Sequence, residues 1–345
     1  MSSFSSKYLR DLTIHPSSSW LISQCAEARG KQDFWQQTRP EILNTLHEYA
    51  MIQSTESSNR IEGVEVEAKR LLPLVSGKIK PIDRPEEEVV GYKKALNYIY
   101  KNFASIKINA QTIKKLHSLA QQGNISDAGK FKTKDNEIIE ILANGERVIR
   151  FRATPAKETE KAIDQLCLSY NDVISKPFPD ILIISSFVFD FLCIHPFRDG
   201  NGRVSRLLTI LICLQNGFSV VRYISIERII EENKEEYYKV LKESSNHWHE
   251  SKHQLLPWWN YFFRIIREAY KELSFKVENA KLGDNKSEII RQIILEQVGP
   301  FKLSYIQKLI PTVSQQLIKK VLSDLKKDKK LKSFGRGAGS VWEVL

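Results

Sequence analysis

The sequence predicts a mainly α protein: a helical bundle with one β-hairpin flap, followed by a small winged helix domain. Three observations carry this reading. Apolar residues recur at helical spacing through most of the chain, and alternating apolar–polar stretches are few. The one β-prone stretch, Glu137–Pro155, sets two such runs around Asn144-Gly145. Residues 281–345 hold 13 Lys+Arg against 6 Asp+Glu, more than half of the +11 net charge of the 345 residues, which marks a separate basic module.

Residues 1–35 show little periodicity and read as irregular. Pro40 suits the first turn of a helix, and a helical pattern continues through Ser54–Glu62 and stops at Gly63. Residues 86–103 follow, with Val89, Val90, Tyr92, Ala95, Leu96 and Ile99 near helical spacing, and then Ile108–Gln121. In the hairpin, Asn144 and Gly145 tolerate the positive φ of a tight turn. Helices resume over Glu158–Ile174. Residues 180–194 are apolar on nearly every side, the mark of a buried central helix. Pro196 disfavours helical geometry at His195, so that helix ends there with His195 extended. The next helix starts near Gly202 and stops at Asn216-Gly217. Asn233–Ser244 and Pro257–Lys271 come later, and Leu282–Ser287 reads as a linker. Helices over 287–297, 303–310 and 314–327, then two β-prone ends around Gly335–Gly339, give the layout of a winged helix-turn-helix.

No apolar run approaches the roughly 18 residues of a membrane span, and no apolar signal-peptide core is visible. Cys25, Cys167, Cys193 and Cys213 are scattered, without a Cys-x-x-Cys pair. The expectation is a cytoplasmic protein without a disulfide framework or a cysteine zinc site. His249 and His253 have i, i+4 spacing near His247, but no third ligand supports a metal there. Trp248, Trp258 and Trp259 read as core.

The chemistry concentrates in one loop, His195-Pro196-Phe197-Arg198-Asp199-Gly200-Asn201-Gly202-Arg203-Val204-Ser205-Arg206. Gly200 and Gly202 let the backbone approach a ligand at the start of a helix, where N–H groups bind anions. Arg203 and Arg206 share one face of that helix and suit a polyphosphate. Asp199 is an oxygen ligand for Mg²⁺, and His195 is a natural general base. The loop therefore reads as phosphate chemistry with a base for an incoming hydroxyl.

This string matches the Fic family signature, His-x-Phe-x-Asp/Glu-Gly-Asn-Gly-Arg-x-x-Arg, at every fixed position, and the chain resembles that family over roughly residues 45–275. The resemblance implies a mainly helical Fic core that transfers AMP from ATP to a Ser, Thr or Tyr hydroxyl of a protein. It implies that His195 is the base, that Phe197 anchors the loop and that Asp199 holds Mg²⁺. Gly200, Asn201 and Gly202 would form the anion hole, Arg203 would contact the phosphates, and Arg206 the γ-phosphate. Arg198 counts among the ATP-binding residues, and Tyr237 and Tyr238 resemble the segment that lines the adenine pocket. Gly202, where kinase-type relatives have lysine, favours nucleotidyl transfer.

Ser58-Asn59-Arg60-Ile61-Glu62-Gly63 resembles the family's inhibitory motif. Glu62, at a helix C-terminus that disfavours a carboxylate, would pair with Arg206 and block the γ-phosphate seat. The domains implied are 1–95 with the inhibitory helix, 96–280 as the catalytic core and 281–345 as the winged helix. The implied partners are a protein target docked on the 137–153 hairpin, possible DNA through 287–345 and a possible homodimer. The alternatives are a DNA-binding transcriptional regulator whose Fic domain is regulatory, and an enzyme that removes AMP from protein.

Overall fold

The computed structural model describes residues 3–4, 13–121, 127–141, 146–279, 285–297, 299–335 and 339–345. It is mainly helical, with fourteen α-helices and two small sheets among these residues. No helix among them is long and apolar enough to cross a membrane.

The first helix corrects the expectation of an irregular start. α1 spans Pro16–Thr38, with Pro16 in its first turn and His15 capping it through the Ser17 N–H. Its buried positions, Ser18, Leu21, Cys25, Gln32 and Trp35, do follow helical spacing. Two of the five are polar, so an apolar pattern does not reveal the stripe. Gln32 is buried because it accepts from Tyr270 Oη at 2.8 Å and from the Ser219 N–H at 3.1 Å.

α2 (Pro40–Ile61) and the short α3 (Ala68–Val75) lead to α4 (Arg84–Asn102), capped by Asp83, and α5 (Ala110–Ala120), capped by Asn109. The 95/96 boundary falls within α4, whose buried face joins one apolar cluster with helices from both sides of it. β1 (Glu137–Ile141) and β2 (Arg147–Arg152) pair antiparallel, with an irregularity between Ile138 and Ile139. The Asn144-Gly145 turn lies outside the described residues.

α6 (Ala156–Val173) precedes α7 (Asp180–Ile194), in which every residue from Ile181 to Ile194 is buried. The one carboxylate in that buried run, Asp190, is satisfied there. It accepts from Ser3 N–H at 2.9 Å, Ser3 Oγ at 2.7 Å and Trp248 Nε1 at 2.8 Å. α8 (Asn201–Gln215) packs beside α7 and ends at Asn216-Gly217. α9 (Ile226–Glu232), α10 (Lys234–Ser245) and α11 (Leu256–Asn279) complete this body, and α11 lies along α1. Trp248, Trp258 and Trp259 are core.

α12 begins at Asn285, so Asn285–Ser287 belong to a helix rather than a linker. The rest of that linker lies outside the described residues. β3 (Phe301–Lys302), α13 (Leu303–Leu309), α14 (Gln315–Lys327), β4 (Leu331–Phe334) and β5 (Val341–Val344) follow. The three strands pair antiparallel in the order β3-β5-β4. α14 buries Ile318, Val321, Leu322 and Leu325 and turns Lys319, Lys326 and Lys327 outward. Arg336 lies outside the described residues.

Candidate active site

The site forms where α7 ends, α8 begins and the C-terminus of α2 meets both. His195 closes α7 with φ 51° and ψ 61°, left-handed rather than extended. Pro196 does keep His195 out of the right-handed region. The His195 N–H bonds the Phe191 carbonyl at 3.0 Å, so the helical ladder runs up to this residue, and the left-handed cap turns the chain out of the helix after it. His195 Nδ1 lies 3.2 Å from the Leu192 carbonyl. A carbonyl only accepts, so Nδ1 carries the proton and Nε2 keeps its lone pair. Burial holds this histidine down at about 4, against the opposing pull of the Leu192 carbonyl. It is a neutral base at pH 7.

Phe197 is fully buried and stacks on His117, with ring centroids 3.8 Å apart and planes 3° apart. Asn201 closes the loop upon itself. Its Oδ1 accepts from Phe197 N–H at 2.9 Å, and its Nδ2 donates to the Phe197 carbonyl at 2.8 Å. The Asn201 side chain is thus a clamp. Gly200, at φ 78°, caps α8, and the first helical bond runs from Val204 N–H to the Gly200 carbonyl at 3.0 Å. The N–H groups of Asn201, Gly202 and Arg203 precede that ladder and form an anion nest.

Glu62 lies against Gly202, at the edge of this nest. It is the C-cap of α2, and Gly63 turns the chain away at φ 77°. A Cβ on Gly202 would overlap Glu62 Oε1 and stand 3.0 Å from its Cδ, so glycine alone admits the carboxylate here. Glu62 Oε1 accepts from Arg206 Nη2 at 2.8 Å. Arg206 is 2% exposed, and it also donates from Nε to Ser58 Oγ and from Nη2 to the Ser58 carbonyl, both at 2.8 Å. Burial opposes its charge, but Glu62, foremost among several neighbours that together outweigh burial, helps to raise its pKa. Arg206 Nη1 has no hydrogen-bond partner among the described residues and lies 3.2 Å from a Cβ built on Gly202. This unused buried donor points at the nest.

Arg203 is placed differently. Its Nη1 donates to Glu88 Oε2 at 2.7 Å, with both side chains buried. Glu88 also accepts from Arg84 Nε at 2.8 Å, and Arg84 Nη2 donates to Asp199 Oδ2 at 2.8 Å. The charges run Arg203–Glu88–Arg84–Asp199 behind the loop. Asp199 and Arg198 are exposed and line a 180 Å³ cavity with Arg84, His117, Gln121 and Asp127. His195, Glu62 and Gly202 line another, of 730 Å³, together with Tyr237, Tyr238 and the flap residues Ile138, Ile139 and Phe151. Tyr237 is buried against Trp258 and Tyr261. Tyr238 is half-buried under Arg150, whose Nη2 ties the flap to the Tyr238 carbonyl at 3.0 Å.

Several supporting residues carry no signal as function in the sequence. Arg84 and Glu88 are an i, i+4 pair that looks like a solvated helix face. Glu227 is buried on α9, where burial raises its pKa. It accepts from Tyr92 Oη at 2.9 Å and Ser54 Oγ at 2.8 Å. His117 donates from Nε2 to the Asp199 carbonyl at 3.1 Å. Of the histidines read as a weak metal pair, His249 bonds the Arg152 carbonyl and His253 lies buried at Ser3 Oγ.

Three histidines share one electrostatic fate. Burial lowers His117, His195 and His253 from 6.5 to about 4 each. Below pH 6.5 the unfolded chain binds protons that the folded chain refuses. Their contribution to stability is full above pH 6.5 and is lost as pH falls towards 4. Urea midpoints measured from pH 7 to pH 4 should fall continuously through that window. A flat profile would contradict neutral burial of these rings.

Residues 107–213 match the family model described as Fic/DOC family, so this chain carries a Fic/DOC family domain. A Fic family protein from Desulfovibrio desulfuricans G20 has a similar crystal structure: 20% identity, TM-score 0.63, and 97% of each chain covered. A Fic domain containing signaling protein from Bacteroides thetaiotaomicron VPI-5482 aligns at 20% identity and TM-score 0.61, over 73% of this chain and 94% of that one. Fic-1 from C. elegans aligns at 18% identity and TM-score 0.57, over 76% of this chain and 73% of that one. These likenesses establish a shared fold. Members of the family are generally transferases, which supports an enzyme role here.

Proposed function

We propose that this chain transfers AMP from ATP to a hydroxyl of a protein, itself included, and that Glu62 restrains the reaction. The observation that carries this reading is the carboxylate set against Gly202 and bonded to Arg206: the protein places its own anion at the edge of its anion nest. The target hydroxyl gives its proton to His195 Nε2 as its oxygen attacks the α-phosphorus. A new P–O bond forms, the bond to the β-phosphate oxygen breaks, and pyrophosphate leaves. The nest N–H groups and Arg206 compensate charge on the phosphates. Tyr237 and Tyr238 form the wall offered to the base.

Among the described residues no group of three or more His, Cys, Asp and Glu is set to hold a metal. The exposed Asp199 carboxylate suits an ion whose remaining ligands are phosphates and water, so Mg²⁺ is proposed to come with ATP and to rest on Asp199. It would neutralise phosphate charge. The target is proposed to dock on the hairpin by strand addition, where Ile139 and Ile149 are about half exposed. Intact-mass spectrometry after incubation with ATP and Mg²⁺ should show an added AMP unit, whereas an added phosphate alone would contradict the reading.

The outward lysines of α14 favour a second reading. In it, residues 285–345 are a winged helix that binds DNA, and the Fic domain regulates that output. Duplex binding should then weaken steeply with salt and survive His195→Ala in the full chain. Binding insensitive to salt, or none, would leave this module a protein-contact surface.

A further inference from the structure

We propose that Lys132 is a positioning residue for His195, acting through the backbone of the catalytic loop. This rests on the reading of His195 as the base. Lys132 is 6% exposed and lies between α5 and β1. Its Nζ donates to the His195 carbonyl at 2.9 Å, the Ile194 carbonyl at 3.3 Å and Asn136 Oδ1 at 2.7 Å. Its backbone N–H donates to the Pro196 carbonyl at 2.9 Å. Asn136 Nδ2 then donates to the Phe197 carbonyl at 3.0 Å. The segment 132–136 therefore engages four consecutive carbonyls, those of Ile194, His195, Pro196 and Phe197.

These are the carbonyls that need holding. The Ile194 carbonyl ends α7 and the next three follow it, where no helical N–H remains for them. The Phe197 carbonyl is shared with Asn201 Nδ2, and His195 sits in a left-handed conformation that a β-carbon disfavours. An ammonium has three donors, and three acceptors surround Nζ. None of them is a carboxylate. Asp135, the nearby charge that favours the ammonium, uses its Oδ1 to accept from Ala156 N–H at 2.7 Å. Burial brings Lys132 down to about 8, against the pull of Asp135. A buried cation without an ion pair is a poor device for stability, and an apolar side chain packs as well. What it uniquely supplies is the shape of the loop that presents the imidazole. Asn136 also immediately precedes β1, so the same segment joins the flap to the base.

The test uses the full chain. In the Glu62→Gly background, Lys132→Met should lower kcat for AMP transfer about 100-fold while leaving KM for ATP little changed. Lys132→Arg should restore most of kcat. In the otherwise wild-type chain, histidine-labelled NMR reads the His195 titration, which burial lowers, the Leu192 carbonyl opposes, and the facing charges of Lys132, Glu62 and Asp199 shift further. Lys132→Met should move the His195 resonances and raise its titration, and Lys132→Arg should not. An unchanged kcat in Lys132→Met would overturn the proposal. So would loss of kcat, KM and melting temperature together with His195 resonances that do not move. If the parent transfers no AMP, the reading of function fails, and the NMR comparison alone still decides whether Lys132 positions His195.

Discussion

Glu62→Gly should transfer AMP roughly 10- to 100-fold faster than the wild-type chain. The factor follows from the bond it removes. A hydrogen bond between charged groups in a partly buried setting contributes about 1.5–3 kcal/mol, and about 1.4 kcal/mol is tenfold in rate. Glu62 Oε1 accepts from Arg206 Nη2 at 2.8 Å while set against Gly202, so the carboxylate holds both the arginine and the space at the edge of the nest. Glycine at a helix C-cap is well tolerated, and the turn at Gly63 is retained. Arg206 keeps Ser58 Oγ and the Ser58 carbonyl but loses its only carboxylate partner among the described residues. Activity should therefore rise while thermal stability falls. Equal initial rates on labelled ATP would contradict the brake.

His195→Ala in the Glu62→Gly chain should lower transfer by about 10²- to 10⁴-fold, the range a positioned general base supplies. The ring is half-buried, its Nδ1–H is committed to the Leu192 carbonyl, and no bond competes for Nε2 among the described residues. Its removal takes away the proton acceptor and leaves the nest N–H groups, Arg206 and the Phe197–Asn201 clamp in place. ATP affinity by calorimetry should change little. Because alanine tolerates the left-handed cap poorly, His195→Asn is the companion variant. Retained transfer in both variants would remove His195 from the base role.

Much of this site was legible because its chemistry is local. Twelve consecutive residues carry the base, the anchor, the nest and both arginines, and the helix pattern around them places the loop between α7 and α8. The pairing of Glu62 with Arg206 spans 144 positions, and only the family resemblance brought it forward. What stayed hidden depends on tertiary contact. Lys132 and Asn136 act through carbonyls, which leave no pattern in a sequence. Glu88 is an ordinary helix glutamate until Arg203 reaches it. Arg203, expected on phosphates, also donates to Glu88, a bond the sequence does not announce. α1 was missed because its buried stripe includes Ser18 and Gln32, whose burial depends on partners far along the chain. His195 was expected extended because a following proline forbids only the right-handed region, and the helix cap made the remaining choice.

The most direct measurement incubates wild type, Glu62→Gly and Glu62→Gly/His195→Ala with Mg²⁺ and ATP labelled at either the α- or the γ-phosphate. Label on protein from the α position only, strongest in the single variant and lost in the double, is the predicted result. Label from the γ position, or equal α-label in wild type and Glu62→Gly, would contradict AMP transfer restrained by the carboxylate set against Gly202.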